Sequence, residues 1–282
     1  MIGIIGGTGI YQLEGLTLLE ELRPATPFGE PSGPLMKGRV GNQDVIFLPR
    51  HGERHQFLPH EVNYRANIFA LKQAGVTRII GLSAVGSLQL ELKPGEFAVP
   101  NQYFDHTAGQ RRKTFFGQGM AAHVSTAEPT CPNLTQVLID VGSEKGHTIH
   151  SGKTYACVEG PRLGTKAESH FLKHAVKADL VGMTNVPEVF LAREAQMCYA
   201  TLTIITDYDC WLEDPDLHVS VEKIFEWYSA SVAKVKAMLS TLLSRPLLTK
   251  SCSCRTSLAG ALLTPVSDLS EENRTIYKVL NS

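Results

Sequence analysis

The 282 residues carry 27 basic and 28 acidic side chains, a formal net charge of -1. A chain so balanced has no long-range field to draw in nucleic acid or an anionic membrane, although local basic spots can still hold a small anion. Apolar residues at 43% and charged residues at 20% lie near globular averages, which excludes global disorder and allows one large α/β domain or at most two ordinary ones.

The chain opens with the apolar run Ile2–Ile5, too short for a bilayer crossing and without a basic leader. A soluble, cytoplasmic protein is expected, and the six scattered cysteines read as reduced thiols. Further strands are expected at Val45–Leu48, Ile79–Leu82, Phe97–Val99, Thr154–Val158, Leu180–Met183 and Tyr199–Thr206. Most are too uniformly apolar for a sheet with one wet face. Helical spacing predicts helices at Tyr64–Ala74, Leu134–Lys145, Lys166–Lys177 and Glu188–Gln196, and a long amphipathic one at Val221–Leu243 behind Ser220 as N-cap. This alternation is the mark of a mostly parallel sheet covered on both faces. Residues 101–132 break the rhythm with aromatics and glycines, and a loop of that length is usually functional or interfacial. Residues 1–245 are expected to form the catalytic domain and 246–282 a tail appended to it.

Four groups could carry chemistry. Gly6-Gly7-Thr8-Gly9 follows the first strand and suits an anion cradle, yet it completes neither a dinucleotide nor a Walker motif. Arg50-His51-Gly52 follows the next expected strand; Arg50 offers a planar fork for phosphate and His51 a donor beside it. Ser83-Ala84-Val85-Gly86-Ser87 leaves room for a ligand at a strand end. Thr206-Asp207-Tyr208-Asp209-Cys210-Trp211 puts two carboxylates on one side of an extended chain, where burial raises a carboxyl pKa. Each has a bland reading as a turn, a solvated strand end or a packing feature. Arg50-His51 also fits a phosphohistidine phosphatase, but no partner histidine motif follows. No metal is expected: Cys252-x-Cys254 is too tightly spaced for a usual zinc pair and has no second pair. Anion binders beside carboxyls suit a reaction in which phosphate itself is the nucleophile.

The stretches Arg50–His55, Val62–Asn67 and Ser83–Ser87 resemble the trimeric purine nucleoside phosphorylases. Together with Gly6-Gly7-Thr8-Gly9, Glu159-Gly160-Pro161-Arg162, Met183–Glu188 and Thr206–Trp211 they resemble the 5′-methylthioadenosine phosphorylase branch. The resemblance covers roughly Ile2 to Leu243 and implies a single-domain, three-layer α/β/α sandwich with a mixed central sheet and a distorted barrel. It implies a homotrimer with shared active sites, a small-molecule nucleoside and phosphate as the only partners, and no cofactor beyond phosphate as co-substrate. It assigns phosphate to Thr8, Arg50, His51, Ser83, Ala84 and Thr184, the ribose to Met183, and the purine to Leu163, Thr206, Asp207 and Asp209, with Asp207 as the catalytic acid. Relatives specific for 6-oxopurines carry Asn and Glu where this chain has Asp207 and Gly164, which implies adenine; Leu163, shared with methylthioinosine phosphorylases, points the other way. Val221, Ile224 and Phe225 share a helical face that is either ordinary core or the lining of a methylthio pocket, and His123 matches a histidine that closes this pocket from a neighbouring subunit.

Overall fold

The computed structural model describes residues 1–7, 13–213, 221–245 and 252–282, and within the last long helix leaves out the side chains of 221, 223 and 225. The expected alternation is present in β1 (Ile2–Gly6), β4 (Gln43–Pro49), β5 (Arg78–Ser87), β6 (Phe97–His106), β7 (Ile149–Val158), β8 (Leu180–Gly182) and β9 (Cys198–Tyr208), and all but β8 are longer than local apolarity suggests. Two strands, β2 (Leu16–Leu22) and β3 (Leu35–Val40), were not expected. β2 is an edge strand, almost wholly exposed, so burial imposed no alternation on its sequence.

All nine form one sheet in the order β2-β3-β4-β1-β5-β8-β7-β6-β9, and β5 pairs also with β9. That extra pairing closes β5, β8, β7, β6 and β9 into a ring, so an open sheet runs into a small barrel through the long strand β5. Strand periodicity sorts side chains between two layers. Ile2, Ile4, Val45, Phe47, Ile80 and Leu82 enter one core; Ile5, Ile46, Leu48, Ile79 and Val85 enter the other. The first core is closed by α2 (Pro132–Glu144) and α5 (Val221–Leu243), the second by α1 (Tyr64–Gln73), α4 (Asn185–Glu194) and α6 (Glu271–Leu280). The fold is a three-layer α/β/α sandwich with a mixed sheet.

Two local expectations change. Ser83–Ser87 does not follow a strand but forms the second half of β5, because barrel closure gives it partners on β8 and β9. The expected helix Lys166–Lys177 is α-helical only as α3 (Lys166–His170), capped by a Thr165/Glu168 capping box; Phe171–Val176 is a π turn that ends at Lys177 in the left-handed region (φ 60°). Of the tail, Leu258, Leu269, Ile276 and Leu280 are buried in the core with α1 and α4, and Cys254 is buried in the core with α2 and α5. The N-cap expected at Ser220 lies outside the described residues. Among the described residues no helix is long and apolar enough to cross a membrane.

Candidate active site

β1, β4, β5 and β9 run parallel, and their carboxyl ends open on a cavity of about 620 Å³. Crevices at the carboxyl ends of parallel strands are where α/β proteins bind ligands, since neither helices nor sheet fill them. Gly7, Arg50, His51, Ser83, Ala84, Met183, Thr184, Thr206, Asp207, Asp209, Leu163, Gly164 and Ile224 all line it. Four expected groups that lie far apart in sequence thus meet in one place. Thr8 and the side chains of Val221 and Phe225 lie outside the described residues. Ile224 and, one turn on, Tyr228 line the cavity, so this end of the α5 stripe is wall rather than core. His123 does not line it; that histidine is exposed, its N–H bonded to Ala261 O at 2.9 Å.

Arg50 is 2% exposed, and its fork is occupied. Nε and Nη2 each donate to Glu188 at 2.7 Å, Nη1 donates to Leu82 O at 2.7 Å, and Nη2 also reaches Ile5 O at 3.4 Å. One Nη1 hydrogen is left for a ligand, so the bidentate phosphate grip expected of Arg50 is not available. The cause is burial: a guanidinium out of water needs a carboxylate beside it, and Glu188 supplies one. Burial works against the charge on Arg50, and Glu188 more than offsets that, keeping it protonated.

The Arg50–Glu188 pair begins a buried polar chain. Tyr199 OH donates to Glu188 at 2.8 Å, Thr201 Oγ1 to Tyr199 OH at 3.0 Å, and Asn185 Nδ2 to Thr201 Oγ1 at 2.7 Å. Asn185 then adjoins Thr184, whose hydroxyl lies 3.1 Å from that of Ser83 in the cavity wall. Tyr155 is fully buried, its OH 3.4 Å from Ser83 Oγ, with burial pushing the phenol up to about 12.

His51 also differs from expectation. Its Nδ1 lies 2.9 Å from Phe57 O, a carbonyl that can only accept, so Nδ1 carries the hydrogen. Burial, reinforced by Arg50, lowers the imidazole to about 4, so the ring is neutral near pH 7 and Nε2 is an acceptor. His51 therefore suits a hydrogen-bearing phosphate oxygen rather than donating to a bare one.

At the opposite wall β9 carries a bulge: Val85 faces Ile205 and Gly86 faces Asp207, leaving Thr206 unpaired between them. The bulge aims Asp207 inward, where Thr206 Oγ1 donates to its carboxylate at 2.7 Å. Burial raises the Asp207 carboxyl to about 6, and it raises Asp209 as well. The Asp209 N–H and Trp211 Nε1 both donate to Ser87 O, at 3.0 and 2.8 Å, and fix this turn on β5.

Sequence reasoning gave no role to Arg111, the hub of the remaining wall. It is buried, donates to Met183 O at 2.7 Å, Val186 O at 2.6 Å and Glu159 O at 2.8 Å, and pairs with the Glu159 side chain at 3.0 Å. It ties Val158–Gly160 to Met183–Val186, yet it sits in the unpatterned loop 101–132, where local sequence carries no sign of burial.

A profile of the phosphorylase superfamily matches residues 1–244. The chain belongs to this superfamily, whose nucleoside phosphorylase fold the sheet and cavity reproduce. Within it the relatives are consistent in kind. The S-methyl-5′-thioadenosine phosphorylase of Hyperthermus butylicus is 47% identical over 265 residues, 93% of this chain and 95% of that one. The crystal structure of a methylthioadenosine phosphorylase from an antarctic soil metagenomic library superposes with a TM-score of 0.92 at 41% identity, covering 99% of this chain and 98% of that one. The Schistosoma mansoni methylthioadenosine phosphorylase in complex with adenine gives a TM-score of 0.85 at 36% identity, over 93% and 98% of the two chains.

Proposed function

We propose that the chain is a pentosyltransferase that cleaves S-methyl-5′-thioadenosine with inorganic phosphate, giving adenine and S-methyl-5-thio-α-D-ribose 1-phosphate. The observation that carries this reading is one cavity with hydroxyls and a single Arg50 N–H on one wall and the raised carboxyl of Asp207 on another. The names of the relatives support the substrate.

In this reading phosphate sits against Ser83, the Ala84 backbone, Thr184, Arg50 and the acceptor face of His51, and Thr8 is a further phosphate-binding residue. Met183 lies under the ribose. As the glycosidic bond breaks, the sugar gains oxocarbenium charge, phosphate attacks the anomeric carbon, and the bonding pair leaves with the base. Asp207, protonated through much of the acid range, shares its proton with purine N7 and stabilises the departing anion. Thr206, Asp209 and Leu163 complete the base site, and Val221, Ile224 and Phe225 the methylthio end. No organic cofactor enters these steps.

Residues 1–245 carry this machinery and 246–282 belong to the same domain. A cytoplasmic homotrimer, with His123 of a neighbouring copy over the 5′ end, is the assembly we expect; exclusion chromatography with light scattering tests it. The reaction is tested by incubating the protein with phosphate and methylthioadenosine, methylthioinosine, adenosine or inosine and following free base. Phosphate-dependent adenine from methylthioadenosine is expected. Hypoxanthine from methylthioinosine alone would keep the reaction and overturn the base assignment, making Leu163 the better guide.

A further inference from the structure

Cys252-x-Cys254 lacked a second pair in sequence, and the fold supplies one. Cys131, Cys198, Cys252 and Cys254 converge so that their four sulfurs lie within 4.8 Å of one another. Three of the four residues are buried and Cys252 is half-buried. Their origins are scattered: Cys131 is the N-cap of α2, Cys198 the first residue of β9, and the other two open the tail. Cys252 is extended (φ -143°, ψ 155°) and Cys254 lies within the 3-10 turn Ser253–Thr256, so the chain bends between them and two sulfurs only two residues apart reach one point.

The two main-body cysteines are held by backbone bonds: Cys131 N–H donates to Tyr199 O at 2.8 Å and Cys198 N–H to Thr77 O at 3.0 Å. The tail is clamped beside them, with Arg255 Nη1 donating to Gln196 O at 3.1 Å and Ser257 Oγ to Arg193 O at 2.6 Å. Cys131 is the N-cap of α2, at the positive end of that helix, where a thiolate is favoured.

The spacing distinguishes the possible uses. Cys198 and Cys252 sulfurs are 3.3 Å apart, well beyond a covalent S–S bond of about 2.05 Å. A tetrahedral zinc with Zn–S of about 2.3 Å needs sulfurs about 3.8 Å apart. Four sulfurs, mutually close and with no other ligand type joining them among the described residues, match the closed coordination of a structural zinc.

We propose that Cys131, Cys198, Cys252 and Cys254 form a structural tetrathiolate site for Zn²⁺, which staples the tail to β9 and the start of α2. On binding, four Zn–S bonds form and four S–H protons pass to solvent, with no change of oxidation state. The site lies apart from the cavity, whose lining contains none of these cysteines. It therefore serves the fold and not the reaction.

The test uses the full chain purified under thiol reductant without chelator. Elemental analysis is expected to find about one zinc per chain, released when the thiols are blocked with a mercurial. Cobalt(II) titration of the stripped, reduced chain is expected to give the intense visible bands of a tetrahedral thiolate complex, saturating at one equivalent. The Cys252→Ser/Cys254→Ser variant loses both signals, and wild type melts at least ~5 °C above its stripped form. A reduced wild-type chain that takes up neither zinc nor cobalt overturns the proposal. So does a chain whose intact mass is four hydrogens light and which binds no metal after reduction, for then the four thiols serve as two disulfides. The cobalt titration of wild type decides the matter even if the variant fails to fold.

Discussion

Gly86 on β5 faces Asp207 on β9, and a methyl group placed on Gly86 would come within 3.0 Å of Asp207 Oδ2, 3.2 Å of Val181 Cγ1 and 3.4 Å of Asp209 Cβ. The glycine is required for space, since Asp207, Asp209 and Val181 of the neighbouring strand all converge on it. Gly86→Ala is expected to turn the Asp207 carboxyl away and lower kcat/KM for methylthioadenosine at least tenfold, with a stability loss of about 1–3 kcal/mol from overpacking. Steady-state kinetics beside thermal melts check this; unchanged kcat/KM would mean Asp207 is not where the reaction needs it.

Asp207 carries a stability cost whose sign is fixed. Its folded pKa of about 6 lies above the usual 3.8, so the fold favours the protonated form, and the resulting stability is lost as pH rises from about 4 to 6. At roughly 1.4 kcal/mol per pKa unit the cost above pH 6 is on the order of 2–3 kcal/mol. Asp207→Asn should melt higher than wild type at pH 8 and near it at pH 4, while turnover of methylthioadenosine collapses. Equal melting temperatures at both pH values would remove the buried-carboxyl reading.

Arg50 and Glu188 form an ion pair with side-chain exposures of 2% and 1%. Glu188→Gln leaves the guanidinium charge uncompensated and is expected to cost about 3–5 kcal/mol. Arg50→Met/Glu188→Leu, which removes both charges, should recover most of that loss. Urea unfolding of the three proteins measures the coupling, and a double variant less stable than Glu188→Gln would contradict it.

Gly164 is not held by space. A Cβ there meets nothing nearer than Glu168 Oε2 at 3.9 Å, so a longer side chain fits at the cavity mouth. Gly164→Glu combined with Asp207→Asn should therefore fold, and should move preference from adenine toward 6-oxopurine nucleosides by at least tenfold in the ratio of kcat/KM values. An unaltered ratio would show that base choice lies elsewhere in the cavity.

In the proposed site His51 offers an acceptor to phosphate, so His51→Ala should raise the phosphate KM more than the nucleoside KM. Initial rates over a grid of both substrates separate the two; a selective rise in the nucleoside KM would move His51 away from the phosphate.

The sequence by itself determined the alternation of elements, the two buried faces of the sheet, and the four motifs that the cavity unites. It could do so because each depends on local periodicity or on glycine and polar residues at strand ends. It could not reveal β2, whose exposed edge imposes no pattern, nor the length of β5, whose second half is a strand only because β8 and β9 flank it. Tertiary structure alone decided how charges pair. Arg50 turned its fork to Glu188, 138 positions away, and Arg111 rose from an unpatterned loop to hold two walls together. Tertiary structure also brought Cys252 and Cys254 to the cysteines at 131 and 198. The physical reason is common to all three: a buried charge or thiol is satisfied by whatever the fold brings within a few ångströms, and sequence separation places no limit on that partner.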